Sequence, residues 1–174
     1  MTTSTLRPER AAAVAHQLRA SLRGTVLTAT DAHYDATRRI WNGAVGHRPA
    51  LLARCADGQD VITAIRAARE HGLPLSVRGR GHDWAGRALR HDGLVLDLSA
   101  MRGVTVDPAT RTAVAGGGAT AGDVVAAAAT CGLAPVTGTV KAVGMADLTL
   151  AAATGPCAAS TAWRWATCSA PMSS

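Results

Sequence analysis

Residues 75–86 read Leu75-Ser76-Val77-Arg78-Gly79-Arg80-Gly81-His82-Asp83-Trp84-Ala85-Gly86. Leu75–Arg78 has the composition of a short strand, and the segment behind it is a glycine-rich loop. Closely spaced glycines let backbone amides converge on an anion without side chains in the way, so a pyrophosphate is the natural guest. The loop is not the dinucleotide fingerprint of a Rossmann unit. After Gly79 and Gly81 a third glycine is required where Trp84 stands, and no helix pattern follows. Gly116-Gly117-Gly118 fails the same test. By spacing alone, a plain turn carrying a solvent-facing His82 is the commoner use of such a stretch.

Working outward, Asp57 caps a helix with Val61, Ile62, Ile65 and Ala68 as its apolar members and Gly72 as its left-handed stop. Further upstream, Ala11, Val14, Ala15, Leu18 and Leu22 recur at helical spacing from Pro8, and Gly24 ends that pattern. Thr25–Pro49 is mixed: Asp31-Ala-His-Tyr-Asp35 opens a short helix and Trp41-Asn-Gly43 marks a turn. Downstream, Leu94–Leu98 and Val104–Asp107 read as strands, and the second turns at Asp107-Pro108 to return along Arg111–Ala115 as a hairpin with flanking strands. Thr120 and Asp123 have capping-box spacing ahead of an Ala- and Val-rich helix that ends at Gly132. The fold class expected from these elements is α+β.

The 174 residues suit one folding unit with a real core. Hydrophobic residues make up 48%, but with four Trp, one Tyr and no Phe that core must be built from Ala, Val, Leu and Ile. The net charge of +6 raises nucleic acid or another anion as a partner, but the arginines are scattered and form no basic run, which argues against nucleic acid. Cys55, Cys131, Cys157 and Cys168 have neither C-x-x-C spacing nor metal-ligand spacing to histidines, so no metal site is expected and reduced thiols in a cytoplasmic chain fit best. No uninterrupted apolar run reaches the length of about 18 residues that spans a bilayer, and Met1–Glu9 lacks a leader pattern, so neither membrane nor secretion is expected.

Several stretches occur in one order: Leu75–Gly86, then Gly93-Leu-Val-Leu-Asp-Leu-Ser99, Val106-Asp-Pro108, Arg111–Ala119, Gly122-Asp123, Cys131-Gly-Leu-Ala-Pro135 and Gly138–Leu150. In that order they resemble the FAD-binding domain of the vanillyl-alcohol oxidase and p-cresol methylhydroxylase (PCMH) type, and within it the branch similar to berberine bridge enzyme. The resemblance covers roughly Ala53–Leu150 and implies FAD as cofactor. Arg78, Gly79, Arg80, Gly81, His82, Asp83, Gly86, Gly138, Thr139 and Gly144 are the residues it assigns to cofactor binding. His82 matches the histidine that commonly bonds covalently to the flavin ring. Val140 stands where some members carry a second, cysteinyl tether, so one covalent link at most is implied. Arg80 stands where glycine is usual, and Asp147 where glycine usually precedes Leu-Thr-Leu; Asp147 places a charge near packed backbone.

Beyond Leu150 the resemblance stops. When GC-rich codons are assumed and each triplet is begun one base early, Ala151–Ser174 becomes the glycine triplet, tyrosine and Tyr-Gly-Leu segment expected of the family. The sequence therefore divides into a lead-in (1–50), a partial PCMH-type domain (51–150) and an out-of-frame tail (151–174), with the substrate domain absent. The function implied is flavin-linked oxidation of an alcohol or activated C–H bond of a small-molecule substrate, with electrons returned to oxygen in intact relatives. No catalytic base is identified. The competing classes are a non-catalytic FAD-binding remnant and a basic anion- or nucleic-acid-binding protein.

Overall fold

A computed structural model describes residues 8–150 and 167–168. They fall into two compact units, divided between Ala100 and Met101.

The first unit contains α1 (Pro8–Ser21), β1 (Thr25–Leu27), α2 (Tyr34–Thr37), β2 (Leu51–Arg54), α3 (Gly58–Glu70), β3 (Leu75–Arg78) and β4 (Leu94–Asp97). Its sheet has the order β1-β2-β4-β3, with β4 parallel to both β2 and β3 and β1 antiparallel on the edge. All four residues of β4 are buried, as an unbroken Leu-Val-Leu run on the central strand of a parallel sheet requires. Tyr34, Leu52, Leu89 and Val95 form a core cluster, with Leu27, Ile40 and Val45 against it. Tyr34 is the one tyrosine of the chain and completes its burial by donating its hydroxyl hydrogen to the Pro49 carbonyl at 2.6 Å.

α1 and α3 pack on each other, α1 through the buried Val14, Ala15 and Leu18. Asp57 caps α3 as expected, accepting from the amides of Gln59 and Asp60, and Gly72 follows with φ +61. The buried face differs from the one the apolar spacing suggests. It consists of Ala64, Ala67 and Ala68, whereas Ile62 is 45% exposed. Close approach between a helix and its neighbours selects the small side chains, and the β-branched ones are left on the flanks. α3 also contributes the buried Asp60, whose carboxylate accepts backbone N–H groups of Arg23, Gly24 and Ala56, each at 2.9 Å. Burial alone would raise the Asp60 pKa, but the three donors outweigh it and hold the carboxyl below its ordinary value.

The second unit contains β5 (Val104–Asp107), β6 (Thr112–Ala115), α4 (Ala121–Ala129), β7 (Ala134–Pro135), α5 (Met145–Leu150) and β8 (Thr167–Cys168). β5 and β6 form the expected hairpin, in the register Val104↔Ala115 through Asp107↔Thr112. The flanking strands expected beside it do not join it: the hairpin is a two-stranded sheet by itself, and β3 and β4 pair in the other sheet. The reason lies in the side chains, since β5 and β6 alternate exposed and half-buried positions while β4 is apolar on both faces. The capping box at α4 is complete: the Thr120 hydroxyl accepts from Asp123 N, and the Asp123 carboxylate accepts from Thr120 N. Asp123 also binds the Arg102 guanidinium through two contacts, at 2.6 and 3.1 Å, and this pair is the largest influence holding its carboxyl far below the usual range. α4 packs on both hairpin strands and on β7. Of the tail 151–174, only the backbone of Thr167–Cys168, antiparallel to β7, lies within the described residues; the out-of-frame expectation otherwise lies outside them.

Candidate functional site

The Gly-rich loop leaves β3 at Arg78 and returns to β4 at Leu94, so it spans residues 79–93 without a helix. A connection of that length with no secondary structure is kept for function more often than for packing. Its shape is set by its own polar groups. The Asp83 carboxylate accepts from Ala85 N at 3.1 Å and Ala88 N at 2.9 Å, the Gly81 carbonyl accepts from Trp41 N at 2.8 Å, and the Trp84 carbonyl accepts from the Asn42 side chain at 2.9 Å. Gly81 and Gly86 have φ of +73 and +72, and a Cβ would reach within 3.0 Å of Ile40 at the first and 2.7 Å of Val45 at the second. Both conformation and space therefore demand glycine at these two positions.

Arg78 is half-buried and donates through Nη1 to the Thr37 carbonyl, while its Nε is buried without a hydrogen-bond partner among the described residues. Burial draws the Arg78 guanidinium below its ordinary pKa; Asp97 opposes that shift, and Arg54 and Arg80 add to it. The His82 ring lies 6.5 Å from Trp41 at an interplanar angle of 23°, and Trp41 lies 5.8 Å from Trp84. His82 Nδ1 is likewise buried and lacks a partner among the described residues. Trp41 and Trp84 are 63% and 72% exposed, so the loop presents an open aromatic surface next to His82.

In the second unit, residues 141–145 wrap around the capped start of α4. Gly144 bridges Thr120, Met145 N donates to the Ala119 carbonyl at 2.8 Å, and Gly122 N donates to the Lys141 carbonyl at 3.0 Å. A Cβ at Gly138 would come within 3.1 Å of Leu148, and Thr139 is exposed.

Arg78, Gly79, Arg80, Gly81, His82, Asp83 and Gly86 are thus brought together in the first unit, and Gly138, Thr139 and Gly144 lie together in the second. The polar atoms of Asp83 are spent on bracing the loop. Sequence reasoning missed the partners supplied from elsewhere: Thr37, Ile40, Trp41 and Asn42 beside the loop, and Arg54, Asp97 and Ser99 below it. The available signal was Trp41-Asn-Gly43, which does form a turn, with Val45 N donating to the Asn42 carbonyl at 3.1 Å. Cys55, close by, is no candidate nucleophile. Burial first, then the negative charges of Asp60, Asp97 and Asp57, push its thiol up to about 12.

A glycine-rich strand-to-loop connection with a histidine on it, set in a mixed helix and sheet fold, has the form of a cofactor-binding class of domain. Comparison with known proteins identifies which one. The model of the FAD binding domain family matches residues 49–161, and the chain belongs to that family. It is 42% identical over 130 residues to (R)-6-hydroxynicotine oxidase of Paenarthrobacter nicotinovorans, covering 75% of this chain and 28% of that protein. It is 39% identical over 130 residues to FAD-linked oxidoreductase hasG of Aspergillus fumigatus, again covering 75% and 28%. Among solved structures, 6-hydroxy-D-nicotine oxidase from Arthrobacter nicotinovorans superposes with a TM-score of 0.69 at 43% identity, over 71% of this chain and 27% of that one. BBE-like 1 from Physcomitrella patens superposes with a TM-score of 0.73 at 25% identity, over 78% and 30%. The chain therefore carries the PCMH-type, BBE-like FAD-binding fold of FAD-linked oxidoreductases and spans about 28% of the length of the curated relatives it matches.

The residues present fit FAD. Two buried polar atoms in the loop, Arg78 Nε and His82 Nδ1, have no partner among the described residues, and two glycines are held in conformations that keep side chains off the loop. A buried donor left unmet costs about 1–3 kcal/mol, which a bound anion or ring substituent recovers.

Proposed function

We propose that Arg78–Gly86 binds the diphosphate of FAD, that His82 tethers the flavin, and that the chain is the flavin-holding part of an oxidoreductase acting on an alcohol or an activated C–H bond of a small molecule. The observation that carries this reading is the pair of unmet buried atoms, Arg78 Nε and His82 Nδ1, in a loop whose shape is braced by Asp83. Arg78 supplies positive charge from a rigid strand end, Gly81 keeps a side chain off the loop backbone, and Asp83 keeps the loop in shape. Bound FAD supplies the hydride acceptor, and attachment through an imidazole raises its reduction potential and prevents its loss. For Gly138 and Thr139 the support is the resemblance, and for Gly144 the resemblance together with its bridge to Thr120 at the start of α4.

The reading is tested by the visible spectrum of the purified chain and by flavin fluorescence of the denatured band on a gel. Yellow protein whose fluorescence survives denaturation and disappears in His82→Ala is the expected result. A colourless chain that takes up no added FAD would sink the proposal.

A further inference from the structure

The register of the parallel strands places Arg54, Asp97 and Arg78 side by side at the carboxyl ends of β2, β4 and β3. In parallel sheets ligands bind beyond those ends. Ser99, just past β4, gathers the surrounding groups. Its amide donates to Asp97 Oδ1 at 2.9 Å, its hydroxyl accepts from Arg54 Nε and Nη2 at 3.4 Å each, and its carbonyl accepts from Arg80 Nη1 at 3.5 Å. Among the described residues the carboxylate beside these arginines is that of Asp97, which is fully buried; its Oδ2 lies 3.8 Å from Arg54 Nε and has no hydrogen-bond partner there. Arg54 and Arg78 flank the one carboxylate and Arg80 reaches the same Ser99, so the group carries more positive than negative charge. The bonds of Arg54 and Arg80 to Ser99 are long, and each guanidinium has five N–H donors, so most of the donors on these two arginines remain available. The mutual repulsion reaches Arg78, whose guanidinium is disfavoured by both Arg54 and Arg80.

We propose that Arg54, which no sequence motif marks, is the outer member of a three-arginine diphosphate clamp with Arg78 and Arg80, and that Ser99 and Asp97 are its positioning residues. The assignment of the anion to FAD rests on the reading in the previous subsection, but the clamp itself does not. A diphosphate carries at least two negative charges and matches the unbalanced charge; planar guanidinium groups offer paired N–H donors to phosphate oxygens. Arg54 therefore holds the anion from the β2 side while the loop amides hold it from the β3 side.

The test is calorimetric titration of the full chain with inorganic pyrophosphate at low salt, followed by FAD. Wild-type chain is expected to bind pyrophosphate. Arg54→Gln should weaken that binding by about ten-fold or more, the scale of one charge-assisted contact, and Arg54→Lys should recover part of it. Arg87→Gln, at an exposed position on the same loop, should leave it unchanged. Should Arg54→Gln lose its far-ultraviolet circular dichroism, Arg80→Gly reads the same clamp, with a similar loss expected. Unchanged affinity in a folded Arg54→Gln, or in Arg80→Gly when Arg54→Gln does not fold, overturns the proposal. Wild-type chain that takes up FAD but no pyrophosphate overturns the clamp and leaves the flavin reading standing. Pyrophosphate binding that depends on Arg54 in a chain that never takes up FAD upholds the clamp and removes the flavin reading.

Discussion

At the scale of single residues, the loop works because a few positions admit no substitute. Gly81→Ala forces a positive φ on a residue with a Cβ and presses that carbon to within 3.0 Å of Ile40 and 3.3 Å of Arg78 Nε. We expect it to cost about 1–3 kcal/mol in urea unfolding and to reduce flavin uptake with it. Asp60 is the other residue on which much depends, since one carboxylate satisfies three backbone donors between the ends of β1, β2 and α3. Asp60→Ala leaves those amides unmet and is expected to cost about 3 kcal/mol or more, read as a shift in the urea midpoint. Its pH signature has a definite sign. The folded pKa lies below the ordinary 3.8, so the stabilisation is complete above that value and is lost as pH falls through the lower folded one. Stability measured from pH 7 down to pH 5 should therefore be flat in this contribution, with the decline beginning near pH 4 and weaker in Asp60→Asn.

At the scale of elements, termini and edges carry the consequences. α4 has nine residues, too short to persist without help, and its start is held by the Thr120–Asp123 box. Thr120→Ala should cost about 1 kcal/mol, checked by denaturant unfolding followed at 222 nm. β3 is an edge strand whose Leu75 and Val77 are 38% and 51% exposed. Such an edge invites pairing with another chain. Replacing both residues with Thr is expected to slow aggregation, seen by light scattering, without lowering the urea midpoint. These elements were largely legible in the sequence: α1, α3, the hairpin and α4 announce themselves by spacing, caps and turn residues. β1 and β2 did not, because Thr25–Leu27 and Leu51–Arg54 are three and four residues long and acquire strand character from their partners.

At the scale of the whole molecule, a ligand that binds the folded chain must raise its stability by mass action. FAD added at about a hundred times its dissociation constant should stabilise the chain by about 2.7 kcal/mol, seen as a rise in the unfolding midpoint that His82→Ala alone does not abolish if the diphosphate contacts persist. The sequence by itself determined the family and the cofactor class, because motif order survives in one dimension. It also announced the cap of α4, a local hydrogen-bond pattern within four residues. It could not show that β4 lies between β2 and β3, and so could not show that Arg54, Arg78 and Asp97 share one line, or that Ser99 gathers Arg54 and Arg80. Those neighbours lie between 19 and 45 residues apart in the chain, and only strand pairing, which hydrogen-bonds distant segments in a definite register, brings them together.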